Sequence, residues 1–455
     1  MIAPARIAAY DALLAVSAGS ADLPTAIAFA RGQLHDERDR ALASDIATGV
    51  QRWRAALDHL IVAFSKRQLD SLDSEIVEIL RLSAYQILHL TRVPASAVVD
   101  DAVNLAKRAG KKSASGFVNA VLRTISRKRA SLPLPQRPAD PSMREAALDY
   151  LSVTLSHPRW LAARWYDRLG LADAEGWCVF NNAPAPLTLR ANRLRVTTEQ
   201  LIERLAADEV RVHPGRFTPD ALIVDEGHPL RGTGLDDGLF VVQDEASQLV
   251  ALAANAQPDM RVLDACASPG GKTTAMAAAM NGRGLLVGCD VRARRMALLR
   301  HTVAATGAAV RLAQADLLQP LPFSQPFDLV VVDAPCSGLG TLRRDPDIRW
   351  RRHERDLPAL AAAELTMLQR AGDAVAPGGR LLYATCSSEP EENEAVADAF
   401  LATTPDFEGT DLRAAAPALA AAADLVDARG HLRTEPHRHR LEAFFAAAFV
   451  RRGKL

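Results

Sequence analysis

Apolar residues in the N-terminal part of the chain recur at intervals of three and four, which is the spacing of an α-helix. The pattern is clearest in IVEILRLSAYQILHL (76–90) and SAVVDDAVNLAKRAG (96–110). Pro94 precedes the second segment and Gly110 ends it, and these are usual start and stop residues of helices. Strand-like alternation is absent here, so the sequence predicts an all-α N-terminal domain.

The helical pattern stops at a proline-rich segment, ASLPLPQRPADPS (130–142). Proline at this density breaks helices and favours an extended spacer, which places a domain boundary here. Beyond it, helical segments mix with a strand-like LTLRANRL (187–194), as in a small α+β module. We therefore predict three domains, at residues 1–135, 145–238 and 239–455.

The C-terminal half alternates short apolar runs with helical segments. The runs are RVLDA (261–265), GLLVGCD (284–290), VRLAQAD (310–316), FDLVVVDAP (327–335) and GGRLLYATC (378–386). Near-continuous apolar strands separated by helices indicate a parallel sheet covered on both faces, and hence a Rossmann-like α/β domain. Ligands bind at the carboxyl ends of such strands. The residues at those ends are Asp264, Asp290, Asp316, Asp333 and Cys386.

Composition narrows the function classes. The 455 residues are 49% hydrophobic and 24% charged, as in globular proteins, which argues against wholesale disorder. The 54 Lys and Arg balance 54 Asp and Glu, which excludes a uniformly basic protein that coats nucleic acid. No apolar run reaches the ~18 residues that span a bilayer, and the N-terminus lacks a signal-peptide pattern. We therefore expect a cytoplasmic protein, a monomer with no membrane partner.

The five cysteines form no C-x-x-C pair and have no histidine at metal-binding spacing, so we predict no metal site. In a reducing compartment most such thiols are buried and inert. We interpret Cys178, Cys266 and Cys289 in this way.

The first predicted strand runs into VLDACASPGGKTT (262–274), where two glycines let the backbone approach a ligand before a helix begins. A phosphate-binding P-loop needs a glycine at the position of Cys266, and no G-x-G-x-x-G is present. Asp290 lies where a carboxylate suits a ribose diol, and Asp316 lies where it can accept a hydrogen bond from an adenine amino group. A ligand with adenosine and no phosphate fits this set, so we predict S-adenosylmethionine. The alternative is that the acidic residues only cap helices and solvate strand ends.

Two further strand ends carry a cysteine each, in DAPCSGLG (333–340) and YATCSSEPEEN (383–393). A thiolate beside a methyl donor suits methylation of a pyrimidine at carbon 5, because thiol addition at carbon 6 makes carbon 5 nucleophilic. A base must then remove the carbon 5 proton so that the thiol can leave. Cys336 and Cys386 are candidates for these two roles, and spacing alone does not assign them. Asp333 is a candidate to stabilise a protonated ring nitrogen 3, and Lys272 to lower a thiol pKa.

These motifs together resemble the Sun/RsmB group of RNA cytosine-5 methyltransferases. The resemblance rests on DACASPGGKTT, the D-x-x-x-x-R of Asp290 and Arg295, DAPCSGLGTLRRDPDIRW, YATCSSEPEENEAV and VVQDEASQLVA. In the N-terminal domain, ASDIATGVQRWRAALDHLI and PASAVVDDAVNLAKRAGKKSASGFVNAVLR resemble the NusB RNA-binding domain. The resemblance covers nearly the whole chain and implies a substrate in 16S ribosomal RNA or a small-subunit assembly intermediate.

The resemblance also implies roles for individual residues. It makes Cys386 the nucleophile and Cys336 the residue that assists release. It makes Arg190 and Asn192, in the middle module, candidate RNA contacts. The residues it implies for S-adenosylmethionine are Cys266, Ala267, Ser268, Pro269, Gly270, Gly271, Lys272, Asp290, Arg295, Asp316 and Asp333.

Two places depart from the pattern of the group. Glu364 stands where a glutamine is usual, and Glu442-Ala443 stand where Asp-Gly is usual. We expect these departures to affect local substrate contacts rather than the core chemistry.

Positive charge is concentrated near the end of the helical domain. Residues 102–139 contain nine Lys and Arg and no Asp or Glu, which favours a surface that follows RNA phosphates over an ordinary solvated face. The candidate RNA contacts there are Lys107, Arg108, Lys111 and Lys112. A second basic cluster holds Trp350, which either stacks on a base or packs.

The sequence therefore favours an S-adenosylmethionine-dependent RNA cytosine-5 methyltransferase. One rival is a NusB-like RNA-binding or ribosome-assembly factor with a vestigial methyltransferase domain, against which the retained cysteines and glycine-rich turn argue. Another is a small-molecule methyltransferase, which gives the basic N-terminal region no purpose.

Overall fold

The computed structural model describes residues 2–232 and 234–453. Its contacts divide the chain into two compact units. The helical unit comprises Met1–Pro184 and Leu342–Glu354, and the sheet unit comprises Ala185–Thr341 and Arg355–Leu455. The division into domains 1–135, 145–238 and 239–455 stays a prediction.

The helical unit is built around a buried apolar core. Its helices are α1 (Pro4–Ser17), α2 (Leu23–Gly32), α3 (Glu37–Ser65), α4 (Ser74–His89), α5 (Ala95–Arg108), α6 (Ser115–Arg127), α7 (Arg144–Asp149), α8 (Arg159–Asn182) and the single turn α13 (Ile348–Arg351). Every residue of α4 from Ile76 to Ile87 is buried, so this helix is enclosed on all sides. Pro94 caps α5, as predicted. The all-α prediction for this region is confirmed.

A short segment from the C-terminal half of the sequence, 342–354, folds with this unit. Arg349 is fully buried, and its guanidinium donates to the carbonyl of Ser156 (2.9 Å) and to Asn182 Oδ1 (3.0 Å). Trp350 Nε1 donates to the carbonyl of Gln51 at 2.6 Å. Of the two possibilities for Trp350, the structure shows packing.

The sheet unit begins with a four-stranded antiparallel sheet in the order β2-β3-β1-β4. Its strands are β1 (Thr188–Ala191), β2 (Arg211–Pro214), β3 (Ala221–Glu226) and β4 (Phe240–Val242). Helix α9 (Thr198–Ala207) packs on it, and Thr197 and Gln200 form a capping box at its start. The strand-like run 187–194 thus contains β1, and the α+β character of this module is confirmed.

The second sheet has eight strands, and its main path is β10-β12-β9-β8-β5-β6-β7, with β11 paired to β12. The strands are β5 (Arg261–Asp264), β6 (Leu285–Asp290), β7 (Arg311–Gln314), β8 (Phe327–Asp333), β9 (Val375–Thr385), β10 (Phe407–Thr410), β11 (Leu432–Arg433) and β12 (Phe445–Arg451). The accompanying helices are α10 (Glu245–Ala254), α11 (Gly271–Ala279), α12 (Ala293–Thr306), α14 (Leu357–Asp373), α15 (Glu394–Thr403), α16 (Leu412–Ala415) and α17 (Pro436–His439).

All five apolar runs form parallel strands, β5 to β9, as the sequence predicts. Leu382 and Ala384 of β9 pack in one apolar core and Leu381 and Tyr383 in another, so both faces of the sheet are covered. The sequence did not predict β12, which runs antiparallel beside β9 and makes the sheet mixed. Its alanine-rich sequence carries little strand signal.

In the described part of the chain, every helix is too short or too polar to cross a membrane.

Candidate active site

The central feature of the sheet unit is a pair of thiols at the carboxyl edge of its large sheet. Strands β8 and β9 are parallel neighbours with Asp333 opposite Ala384, so the loops that follow them leave the sheet side by side. These loops carry Cys336 and Cys386, whose Sγ atoms lie 3.3 Å apart, within hydrogen-bonding distance. Both cysteines are partly exposed. The sequence-based expectation that they meet where substrate and cofactor should bind therefore has a geometric basis.

Backbone hydrogen bonds hold the two loops together. The N–H of Gly340 donates to the carbonyl of Cys386 at 2.8 Å, and the carbonyl of Gly340 accepts from the N–H of Ala443 at 3.0 Å. A Cβ on Gly340 would lie 2.1 Å from the carbonyl oxygen of Ala443 and 2.7 Å from that of Cys386. Only glycine fits this close approach, because both obstacles are backbone atoms.

The two thiols differ electrostatically. The hydrogen bond with Cys386, burial and the charge of Cys386 all raise the pKa of Cys336 well above its usual value. Either sulfur can donate the hydrogen bond between them, and the raised pKa keeps Cys336 protonated at neutral pH.

Lys272 supplies a positive charge near Cys386. Its Nζ lies 2.7 Å from Asp333 Oδ2 and 5.3 Å from the centre of the Phe444 ring. Burial alone lowers the pKa of Lys272, but the charge and hydrogen bond of Asp333, with a further contribution from Cys386, raise it overall. Lys272 therefore stays protonated and supplies a cation near the thiol pair.

The glycine-rich turn lies at the start of α11, as predicted. Gly270 precedes that helix with a φ of +109°, a conformation that side chains rarely adopt. A Cβ there would also lie 3.0 Å from Leu299 Cδ1. Asp264, at the end of β5, accepts a hydrogen bond from Thr273 Oγ1 at 2.7 Å, and burial raises the pKa of this carboxyl to about 7. The glycine-rich turn therefore lies against the end of β5, where Asp264 is located.

Asp290 ends β6 and is 5% exposed. Arg295 Nε lies 3.1 Å from Asp290 Oδ2, and Arg295 Nη2 donates to the carbonyl of Ser268 at 2.9 Å. The D-x-x-x-x-R pattern thus ties the acidic residue to the glycine-rich turn. Both backbone N–H contacts to Asp290 are long, 3.4 Å, so its carboxylate can still accept strong hydrogen bonds from a ligand.

Asp316 is exposed beyond β7, and its Oδ1 accepts from the N–H of Leu318 at 3.0 Å. Its role toward a cofactor stays a prediction.

Sequence models of three protein families match successive parts of the chain. The NusB family matches residues 3–127, the ferredoxin-like domain of the RsmF/B-like methyltransferases matches 157–231, and the 16S rRNA methyltransferase RsmB/F model matches 251–450.

Curated relatives cover most of the chain. The ribosomal RNA small subunit methyltransferase B of Pseudomonas putida is 35% identical over 414 residues, which are 90% of this chain and 91% of the relative. The probable ribosomal RNA small subunit methyltransferase B of Bacillus subtilis is 33% identical over 376 residues, which are 82% of each chain. The chain belongs to the RsmB/F family of 16S rRNA methyltransferases.

Solved structures agree with this membership. The crystal structure of PH0851 has a TM-score of 0.81 and 25% identity to this RsmB/F-family chain, and covers 99% of both chains. NSun6 from Pyrococcus horikoshii, solved with SFG, has a TM-score of 0.58 and 17% identity, and covers 65% of this chain and 99% of its own. The second likeness concerns the fold alone.

Two of the residues predicted to contact RNA are not on the surface of this RsmB/F-family chain. Arg190 is 4% exposed, and its guanidinium donates to the carbonyl of Gly271 (2.9 Å) and to Thr274 Oγ1 (2.8 Å). Asn192 is 1% exposed and donates to the carbonyls of Gly238 and Thr306. Both side chains support neighbouring backbone, and Arg190 fixes the start of α11. The family resemblance that suggested these RNA contacts could not show that both side chains are buried, and burial leaves neither side chain available to RNA in this structure.

The basic residues of the helical unit remain candidates. Lys107, Arg108 and Lys112 are exposed. Lys111 differs, because its Nζ lies 3.0 Å from Asp73 Oδ1 and 3.7 Å from Glu75 Oε1. These acids lie far from Lys111 in sequence, so counting charges along the chain did not reveal them.

The remaining cysteines lie within the protein. Cys178 and Cys289 are buried, and burial raises the pKa of Cys289 to about 12 and that of Cys178 further. Burial and nearby acids, Asp264 first, also raise the pKa of Cys266. These thiols stay protonated at neutral pH, as expected of inert side chains.

Sequence reasoning did not find two buried residues near the thiol pair, Glu392 and Tyr383. It named Glu364 only as a departure from the family pattern and did not find the hydrogen bond between Glu364 and Tyr383. Each is at most 1% exposed. The available signal was the run of acidic residues directly after the second cysteine motif, to which Glu392 belongs.

The close packing at Gly340 gives a test of the loop geometry. We expect Gly340→Ala to lower methyl transfer by about a hundredfold, because the added Cβ displaces the backbone of Cys386. Methyl incorporation into RNA and the melting temperature measure the effect. Gly409→Ala is the matched control, because its Cβ would meet only Leu401 Cδ1 at 3.6 Å. Equal activity of the two variants would contradict the proposed packing constraint.

Proposed function

We propose that this RNA methyltransferase transfers a methyl group from S-adenosylmethionine to carbon 5 of a cytosine in 16S ribosomal RNA. The observation that carries the proposal is the pair of thiols 3.3 Å apart beside the Lys272–Asp333 ion pair. A cytosine-5 methyltransferase uses one thiol to activate the ring and another group to release the product. Two buried inert thiols would not need a cation or a glycine-enforced contact between their loops.

The residues present fit S-adenosylmethionine. The turn 266–272 offers small side chains and backbone groups, and Asp290 and Asp333 offer carboxylates near it. We assign the turn, Asp290, Arg295, Asp316 and Asp333 to the cofactor site, with Arg295 holding Asp290 and the turn in place. When bound, the cofactor supplies an electrophilic methyl group.

We assign the nucleophile to Cys386. Its Sγ lies 3.3 Å from that of Cys336, and Lys272 supplies a positive charge nearby. The thiolate forms a bond to carbon 6 of the cytosine, and the electrons of the 5,6 double bond make carbon 5 nucleophilic. Asp333 stabilises the protonated ring nitrogen 3, and Lys272 balances its charge. The target base must leave its stack to reach these groups.

We assign release to Cys336. Its Sγ lies 3.3 Å from that of Cys386, so it would lie beside carbon 5 once Cys386 is bonded to carbon 6. Cys336 loses its own proton to solvent, and its thiolate then removes the carbon 5 proton. The electrons of that carbon–hydrogen bond re-form the 5,6 double bond, and Cys386 leaves as a thiolate.

The exposed basic residues of the helical unit complete the proposal. Lys107, Arg108 and Lys112 would contact RNA phosphates and hold the substrate. Lys111 contributes less because two acids neutralise it. Relatives named as ribosomal RNA small subunit methyltransferases support rRNA as the substrate, and a cytoplasmic location would follow from that substrate.

Bisulfite sequencing of ribosomal RNA tests the reaction. We expect one 5-methylcytosine in 16S rRNA of cells with the wild-type gene, and none in cells that lack it or carry Cys386→Ala. Purified Cys386→Ala should still bind S-adenosylmethionine, because Cys386 is assigned to the RNA. Cys178→Ala is the control and should retain the modification. A methylated cytosine in Cys386→Ala cells would overturn the assignment of the nucleophile.

Removing the release group gives a second test. We expect Cys336→Ala to accumulate a covalent protein–RNA complex, because the carbon 5 proton stays in place. A slow-migrating, protease-sensitive band on a denaturing gel measures it. The double variant Cys336→Ala/Cys386→Ala should form no such band. If Cys336→Ala alone forms none while still binding RNA, Cys336 does not assist release.

The basic surface predicts a change in salt dependence. Lys107→Glu/Lys112→Glu should weaken RNA binding most at low salt and reduce the slope of log affinity against log salt by roughly 1 to 2. Binding titrations at several salt concentrations measure this. Arg38→Glu, also exposed in the helical unit, is the control. A slope equal to that of the wild type would exclude Lys107 and Lys112 as phosphate contacts.

A further inference from the structure

The buried side chain of Glu392 joins the loops of Cys336 and Cys386 through hydrogen bonds. Glu392 Oε1 accepts the N–H of Ser337 at 2.6 Å, and Oε2 accepts the hydroxyls of Ser337 (2.6 Å) and Ser387 (2.5 Å). Ser337 follows Cys336 and Ser387 follows Cys386, so one side chain sets the position of both thiols. The side chain of Glu392 therefore accepts three hydrogen bonds, two from one loop and one from the other.

Tyr383 connects Glu392 to a second carboxyl group, that of Glu364. Its hydroxyl lies 2.5 Å from the main-chain oxygen of Glu392 and 3.1 Å from Glu364 Oε2. A phenol has one proton, and a main-chain oxygen can only accept. The shorter contact therefore uses the proton of Tyr383. The longer contact, from Tyr383 Oη to Glu364 Oε2, therefore receives little of that proton, and a proton on Glu364 would let its carboxyl group donate to Tyr383 Oη instead.

The surroundings of Glu364 also favour a protonated carboxyl group. Glu364 is fully buried on α14, and burial and then the charge of Glu392 raise its pKa to about 10. The titratable groups that face it are Glu392, on the 3-10 turn after β9, Tyr383 on β9 and Cys336 on the loop after β8. No cation is among them.

We propose that Glu364 is a positioning residue that keeps its proton in the folded enzyme and, through Tyr383 and Glu392, fixes the spacing of Cys336 and Cys386. The proposal rests on the proposed function only in the use that it gives to the thiols. A proton on Glu364 removes the repulsion that two adjacent buried carboxylates would have. An ionised Glu364 would remove the donor to Tyr383 and place a second negative charge beside Cys336.

The protonation state of Glu364 is tested by the pH dependence of the melting temperature. A carboxyl whose pKa is raised on folding contributes its full stability below the pKa of the unfolded chain, and loses it as pH rises toward the folded value. Glu364→Gln carries an N–H donor at every pH. We therefore expect its melting temperature to gain on the wild type as pH rises from about 5 to about 9. Glu203→Gln, on the exposed side of α9, is the control and should show no such trend.

The positioning role is tested by thiol reactivity. Iodoacetamide labelling followed by mass spectrometry of the separate peptides gives a rate for Cys336 and for Cys386 in the free enzyme. We expect Glu364→Leu, which has no donor, to change these rates several-fold and to lower kcat without raising KM. Glu364→Gln should keep wild-type rates. Where Glu364→Leu does not fold, Tyr383→Phe breaks the same chain of hydrogen bonds while it keeps the ring.

Labelling and melting need neither RNA nor cofactor, so they stand even if the cytosine assignment fails. A melting difference between Glu364→Gln and wild type that stays constant or shrinks with rising pH would show that Glu364 is ionised, and would overturn the proposal. Wild-type labelling rates in Glu364→Leu or Tyr383→Phe would show that Glu364 is a core residue with no effect on the thiols.

Discussion

The active site depends on one constraint, the close approach of two loops that leave neighbouring parallel strands. Strands β8 and β9 end beside each other, and each continues into a loop with a cysteine. Gly340 admits the backbone of Cys386 because it has no Cβ, and Glu392 gathers the residues that follow the two cysteines. The hydrophobic sheet sets the direction of the loops, and these polar contacts set the distance between the thiols to 3.3 Å.

At that distance the two thiols interact directly. The hydrogen bond between them is the first cause that raises the pKa of Cys336. Lys272, paired with Asp333, adds a positive charge nearby. In the proposed reaction Cys386 acts as nucleophile and Cys336 acts afterwards as base, so both thiols must lie beside the same pyrimidine ring.

The main helices and strands could be predicted from the sequence because their patterns are local. The helical spacing in 96–110 comes from burial on one face of α5, and apolar runs such as that of β9 come from strands buried on both faces of the sheet. The glycine-rich turn and the cysteines at strand ends are also local, so their place at the carboxyl edge of the sheet follows from the strand order. Strand β12 was missed because its pairing with β9 depends on residues far away in sequence.

The sequence by itself determined the fold class, the family and the chemical groups at the edge of the sheet. Tertiary structure alone decided which polar side chains face solvent: Arg190 and Asn192 are buried, Lys111 is neutralised by Asp73 and Glu75, and Trp350 packs in the helical unit. It also decided that Glu364 and Glu392 lie together behind the thiols. Burial and charge pairing between distant segments control proton affinity, and neither is a property of local sequence.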